Sequence, residues 1–223
     1  MTESLRQLLA DLHAERVATW KPEALQVNID QRRTLVETAD RAAWIKAGDN
    51  VPAFRLAEVD GGELTLETLT AHGPAVLIFF RFATCPACNI ALPYYERNLW
   101  PRLRSLGASL TAVSPQVPER LVEIKRTHAL GFNVATDRDN ELGRRFGILY
   151  EFDEASKASA RAKGSFIGDT TGTGTWELPM PTVVVIDASG TVAFADVSPD
   201  WLVRTEAEAI LEAVRALSLT TAA

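Results

Sequence analysis

Few residues of the kinds that hold metals or carry redox chemistry are present: 2 cysteines, 3 histidines and 2 methionines among 223 residues. The histidines, His13, His72 and His128, lack the pairwise spacing of a zinc finger, and there is no second cysteine pair. That argues against a structural zinc site. Long apolar runs are missing too. The longest, Ala75 to Phe80, is far too short to cross a bilayer. Nor is there a dense Lys/Arg block: 23 basic residues face 29 acidic ones, for a formal charge of −6. Nucleic acid and anionic membranes both need a basic face, so neither is an expected partner. The start, Met1-Thr2-Glu3-Ser4-Leu5-Arg6, has no basic segment leading into an apolar core. No secretory signal is expected, and a cytoplasmic location follows by default.

What remains is ample for a folded protein. Apolar residues make up 47% of the chain, enough to fill a core. The length suits one generous domain, or one domain with an extension. Residues 1–47 read as a helical extension. Leu5, Leu8, Leu9 and Leu12 share one face, and Leu25, Ile29, Val36, Ala39 and Ala43 another. Pro22 opens the second helix and Gly48-Asp49-Asn50 ends it. From residue 48 to 223 the pattern is α/β. Strands are expected at 54–59, 64–66, 75–82, 109–114, 132–136, 183–187 and 192–195. Helices are expected at 85–106, 118–128, 140–146 and 205–217. This order predicts a mixed central sheet flanked by helices. Between Tyr150 and Leu178 no strand is legible. That stretch, with Gly168 to Thr175 low in complexity, reads either as a lid or as a tolerated insertion.

The two cysteines stand together in Cys85-Pro86-Ala87-Cys88, directly after the apolar run. In a cytosolic setting such a pair is more often catalytic, redox-sensing or metal-binding than a structural staple. If Cys85 occupies the first helical turn, free N–H groups and the helix dipole favour its thiolate. Cys88 then lies one turn on, placed to condense with an oxidised Cys85. Cys85 is thus the expected nucleophile, ionised and exposed, and Cys88 the resolving thiol. Pro86 suits the first turn, where its missing N–H does no harm. Inert buried thiols and a structural disulfide are the rival readings. A second feature is Met180-Pro181 at the mouth of the strand 183–187. A proline there points to a cis bond that presents the Met180 backbone to a substrate, or to a plain loop-to-strand transition. Trp176 and Trp201 are candidate walls, with Trp176 preferred. Asp137-Arg138-Asp139-Asn140 reads as a solvated turn with Asn140 as helix N-cap.

These features together resemble the thioredoxin fold, and within it the peroxiredoxin (alkyl hydroperoxide reductase/thiol-specific antioxidant) branch. The resemblance rests on Cys85-Pro86-Ala87-Cys88, Met180-Pro181-Thr182, and Gly48 to Leu56. Leu64 to Leu69, Leu110 to Gln116, Ile186 to Gly190, and Trp176 to Pro179 add to it. It spans about residues 46–217. It implies a peroxidatic Cys85, a peroxide substrate, and reduction by thioredoxin or another dithiol, with no cofactor and no metal. The chain departs from the family pattern in two places. Ile78 and Phe82 stand where the family has Pro and Thr, and Pro181 where it has an Arg. Thr84 and Arg81 are the expected substitutes. Three functions follow in order: a thiol peroxidase, a thioredoxin-type reductase of disulfide substrates, and a non-catalytic binding module docked through residues 1–47. A homodimer is compatible with the sequence.

Overall fold

Ala75–Phe79 is apolar at every position, as a strand covered on both faces must be, and it lies at the centre of the architecture. A computed structural model describes residues 3–220. Met1 and Thr2 of the expected extension, and residues 221–223, lie outside the described residues. The chain begins with helices α1 (Leu5–Thr19) and α2 (Pro22–Thr38). Strands β1 (Arg55–Glu58) and β2 (Glu63–Thr65) lead into α3 (Leu66–Thr70), followed by β3 (Ala75–Phe79). Then come α4 (Pro86–Asn98), α5 (Trp100–Ser105), β4 (Ser109–Ser114), α6 (Pro118–Thr127), β5 (Asn133–Thr136) and α7 (Glu141–Arg145). The last third holds β6 (Leu149–Glu151), α8 (Glu154–Ala162), α9 (Ile167–Thr171), β7 (Glu177–Pro179), β8 (Thr182–Ile186), β9 (Val192–Val197) and α10 (Ala207–Thr220).

The main sheet has 7 strands in the order β2-β1-β5-β4-β3-β8-β9. Strands β3, β4 and β5 run parallel, and β8 lies antiparallel to β3 with Val76 opposite Val185. The mixed sheet flanked by helices is therefore present as expected. Side chains alternate along β3. Val76 and Ile78 face a layer containing Leu5, Leu9, both cysteines, Tyr95 and Ile210. Ala75, Leu77 and Phe79 face a second layer with Phe54, Phe146 and Leu178.

Helix α1 is fixed to the first layer. Leu5 and Leu9 are buried completely or nearly so. The Glu206 carboxylate accepts from the Ser4 hydroxyl at 2.9 Å, Leu5 N at 3.1 Å and Arg6 N at 2.9 Å. The Tyr94 hydroxyl also donates to Glu206, at 2.7 Å. A carboxylate at the start of a helix satisfies free N–H groups and complements the dipole.

Several expectations need correction. Helix α2 stops at Thr38, and a short 3-10 turn at Arg41–Ala43 follows, so Ala39 and Ala43 do not extend its stripe. Its buried residue is Gln31, while Val36 is exposed. The helix expected over 85–106 breaks at Leu99 into α4 and α5. Pro101 has no N–H to continue the ladder and disfavours the helical state of the residue before it. The irregular stretch 150–178 carries β6, α8, α9 and β7. Helix α8 escaped notice because it is built from Ala, Ser and charged residues and has no large apolar side chain to mark its inner face. Asn140 sits at the N-cap of α7 with φ 57° and makes no side-chain cap bond. Asp137 caps instead, accepting from Leu142 N and Gly143 N at 2.9 Å each.

Candidate active site

Strand β3 ends at Phe79, and six residues later Cys85 is the N-cap of α4, with Pro86 in the first turn. The connection is held from β4. The Gln116 Oε1 accepts from Ala83 N at 2.8 Å, and the Ser114 hydroxyl donates to the Arg81 carbonyl at 3.0 Å. From within α4, the Asn89 amide donates to the carbonyls of Ala83 at 2.6 Å and Cys85 at 3.0 Å. The cysteines are thereby placed beyond the carboxyl end of a central parallel strand, where open α/β sheets build their sites.

The two cysteines are free and 3.1 Å apart, about 1 Å longer than an S–S bond. Both are buried, Cys85 to 1% and Cys88 to 0% exposure, so the expected exposed Cys85 is not found. The expected ionisation is reversed as well. Hydrogen bonding to Cys88 pushes the Cys85 thiol up, with burial and the Cys88 charge acting the same way, against the pull of Arg81 and Arg204. At Cys88, burial opposes the thiolate, but it is outweighed. The Cys85 thiol, the Arg204 charge and the Arg81 backbone N–H together hold Cys88 well below the usual thiol range. Arg204 Nη2 lies 3.7 Å from Cys88 Sγ. Within this tightly coupled pair, ionisation is therefore favoured at Cys88 over Cys85.

A cavity of about 300 Å³ lies beside the start of α4, with Pro86 and Arg81 in its wall; neither cysteine lines it. Its other sides come from α1 (Arg16, Trp20), α2 (Gln31), α8 (Ser156, Ser159) and Trp201. Arg81, expected as a substitute for the family arginine, is 8% exposed. Its guanidinium stacks 4.7 Å from the Trp201 ring, and its charge acts on both cysteines.

The remaining expected residues fall elsewhere. Thr84 is exposed and does not line the cavity. Met180 packs in the opposite layer; its N–H donates to the Ile148 carbonyl at 2.8 Å, so it has none to offer a substrate. No cis peptide bond occurs among the described residues, so Met180-Pro181 is trans. Pro181 is buried, accepts from Ser198 N at 2.8 Å and borders a small void beside Arg204. Trp176 sits one ring away from the cavity, its centroid 5.6 Å from Phe152. Trp201 is the wall that Trp176 was expected to be.

Sequence reasoning missed Arg16, Arg204 and Gln31. Arg204 sits in an irregular turn 116 residues from its cysteine, and no local pattern marks it. Arg16 and Gln31 are polar residues on helices read for their apolar faces. Tyr150, pushed up to about 12 by burial, stays neutral next to Arg81.

The profile of the AhpC/TSA family matches residues 47–195. Peroxiredoxin Bcp of Escherichia coli K12 is 29% identical over 108 residues, covering 48% of this chain and 67% of that protein. A putative peroxiredoxin of Mycobacterium tuberculosis is 27% identical over 104 residues, 47% of this chain and 65% of that one. Among solved structures, peroxidoxin BcpB from Mycobacterium tuberculosis superposes with a TM-score of 0.61 at 20% identity, covering 78% of this chain and 98% of that one. A peroxiredoxin-like protein from Aquifex aeolicus gives 0.59 at 17% identity, covering 78% and 88%. At such identities the structures establish a shared thioredoxin fold, while the profile spans most of the chain and includes the cysteine pair. The chain belongs to the AhpC/TSA family.

Proposed function

We propose that this protein is a thiol-dependent peroxide reductase that cycles between a dithiol and a Cys85–Cys88 disulfide. The observation that carries the reading is the pair itself: two sulfurs 3.1 Å apart, with the charges of Arg81 and Arg204 favouring a thiolate at either. Cys85 is the attacking sulfur on this reading, because Pro86, its neighbour, lines the cavity. Attack requires the Cys85 proton to pass to Cys88. A sulfur lone pair of Cys85 then takes the terminal peroxide oxygen, the O–O bond breaks, and the departing alkoxide or hydroxide takes up a proton. Arginine N–H groups stabilise the charge that moves onto the leaving oxygen. Cys88 next displaces water from the sulfenic acid and closes the disulfide. A thioredoxin-like or other dithiol resets it by exchange.

A second assignment of roles has its own support. The low thiol is Cys88, which favours that sulfur as the attacker and Cys85 as the resolving thiol. The disulfide-reductase and binding-module readings lose ground to the family match. Residues 1–47 are, on this reading, an extension that completes the cavity over a domain beginning at 48.

Stopped-flow oxidation of the reduced protein by hydrogen peroxide tests the proposal. The expected result is consumption of one peroxide per chain, at least about a hundredfold faster than free cysteine, with disulfide as product. The Cys88→Ser protein should still react and accumulate a sulfenic acid, while Cys85→Ser should not. The opposite pattern assigns the attack to Cys88. A native rate no faster than free cysteine overturns the peroxidase reading.

A further inference from the structure

The cavity beside the start of α4 is far larger than hydrogen peroxide requires. At about 300 Å³ it has room for roughly ten waters. Four of the residues that line it carry a buried donor without a partner. Arg16 Nη1, Gln31 Nε2, Arg81 Nε and Trp201 Nε1 are all buried with no hydrogen-bond partner, and their residues all line this space. Each of the four residues is more than nine-tenths buried, at 5%, 5%, 8% and 2% exposure. An orphaned buried donor costs about 1–3 kcal/mol, so four around one cavity mark a place where an acceptor belongs. Asn28 Oδ1 is the sole orphaned acceptor in the same wall.

The charge has one sign. Arg16, Arg81 and Lys163 line the cavity and no carboxylate does, in a chain of net charge −6. The guanidiniums are fixed by their flat faces. Arg16 lies 4.9 Å from the Trp20 ring and 5.4 Å from Trp201, and Arg81 lies 4.7 Å from Trp201. Stacking occupies the faces and leaves the edges, whose fork of N–H groups matches a carboxylate. Val27, Phe152 and the indole of Trp20 supply apolar wall for the body of such a molecule.

We propose that this cavity is a carboxylate subsite, which makes compact organic hydroperoxides carrying a carboxylate the preferred substrates of the cysteine pair. The inference rests on the peroxidase reading above. The carboxylate meets Arg16, Gln31 and Trp201 while the peroxide group reaches Cys85 past Pro86. The chemistry is that of the proposed cycle: the thiolate and ROOH, with one proton, give the sulfenic acid and ROH. Arg16 and Gln31 stand on α1 and α2, and Trp201 follows β9, so all three lie outside the family-matched residues 47–195. Selectivity therefore comes from segments that the family domain does not supply.

The test uses the full reduced chain and two peroxides alike in shape: cumene hydroperoxide and its para-carboxylate. Expected is an oxidation rate constant at least about tenfold higher for the carboxylate, with the ratio falling toward one in Arg16→Gln and in Gln31→Leu. A calorimetric arm needs no turnover. Para-isopropylbenzoate should bind the native protein, and para-isopropylbenzamide should bind at least about tenfold more weakly. Equal rates for the two peroxides, or equal binding of acid and amide, overturn the subsite. Hydrogen peroxide separates the two readings. Oxidation no faster than free cysteine by hydrogen peroxide and by both aryl peroxides, with preferential benzoate binding, sinks the peroxidase and leaves the binding site. Fast oxidation without discrimination sinks the subsite alone.

Discussion

Cys85 and Cys88 are coupled, and burial, their mutual hydrogen bond and two arginines act on both thiols. A helix start favours thiolate at either cysteine. What separates them is the set of donors: Cys88 receives the Cys85 thiol, the Arg81 N–H and, at 3.7 Å, Arg204. A hydrogen bond to a charged group contributes about 1.5–3 kcal/mol. Replacing Arg204 by Gln should therefore raise the thiol titration, followed by thiolate absorbance against pH. It should also slow peroxide oxidation at neutral pH about tenfold or more. An unchanged titration would remove Arg204 from the site. Gln116 and Asn89 act differently. They touch the backbone around Cys85 and fix the angle at which α4 begins.

At the scale of elements, α1 matters because it carries Arg16 to the cysteines, and Glu206 is what moors it. Burial works against that carboxylate, but the Arg6 N–H, the Tyr94 hydroxyl, the Leu5 N–H and the Ser4 hydroxyl outweigh it and hold Glu206 below the usual range. The sign follows directly. Above the ordinary glutamate value near ~4.3 the group is ionised folded and unfolded, and its contribution is complete. As pH falls through that value and on through the lower folded one, the contribution is lost. Glu206→Gln should lower stability by about 1–2 kcal/mol at neutral pH, from the helix-start bonds it weakens. Thermal unfolding should show a fall of about 2–8 °C. The deficit should shrink as both proteins are taken to acid; a deficit independent of pH would refute this account. Helix α2 teaches a related lesson. Its inner face is Ala24, Val27, Asn28 and Gln31 around the cavity, so the face that matters is half polar. A reading for apolar periodicity selects Leu25, Ile29 and Val36 instead.

For the whole molecule, burial of the pair sets what can reach it. Both sulfurs are closed to solvent, so a bulky disulfide reagent needs α1, α2 or the start of α4 to move aside, a larger opening than a small peroxide needs. Ellman's reagent should thus react with the reduced native protein about a hundredfold slower than with the unfolded chain, reflecting an opening of ~3 kcal/mol. Its rate should climb steeply with urea well below the unfolding transition, while the hydrogen peroxide rate stays nearly flat. Equal urea dependence of the two would mean that both enter by the same opening. Any protein-sized partner of the two thiols would meet the same barrier. Among the described residues no helix is long and apolar enough to cross a membrane.

The sequence by itself determined the sheet and the pair. The unbroken apolar strand 75–79, turn residues between strands, and Cys-x-x-Cys after a strand are local patterns that chain connectivity enforces. The fold class and the closeness of the two thiols were legible for that reason. Only the tertiary structure decided which sulfur holds the charge and what surrounds it. Arg81 and Trp201 could be named from the sequence, but Arg16 and Arg204 are distant from the cysteines in the chain and carry no motif. They meet because α1 docks through Leu5 and Leu9 and because the turn after β9 folds back over α4. Thiol ionisation depends on charges within a few ångströms in space, and sequence spacing cannot supply those distances across a fold.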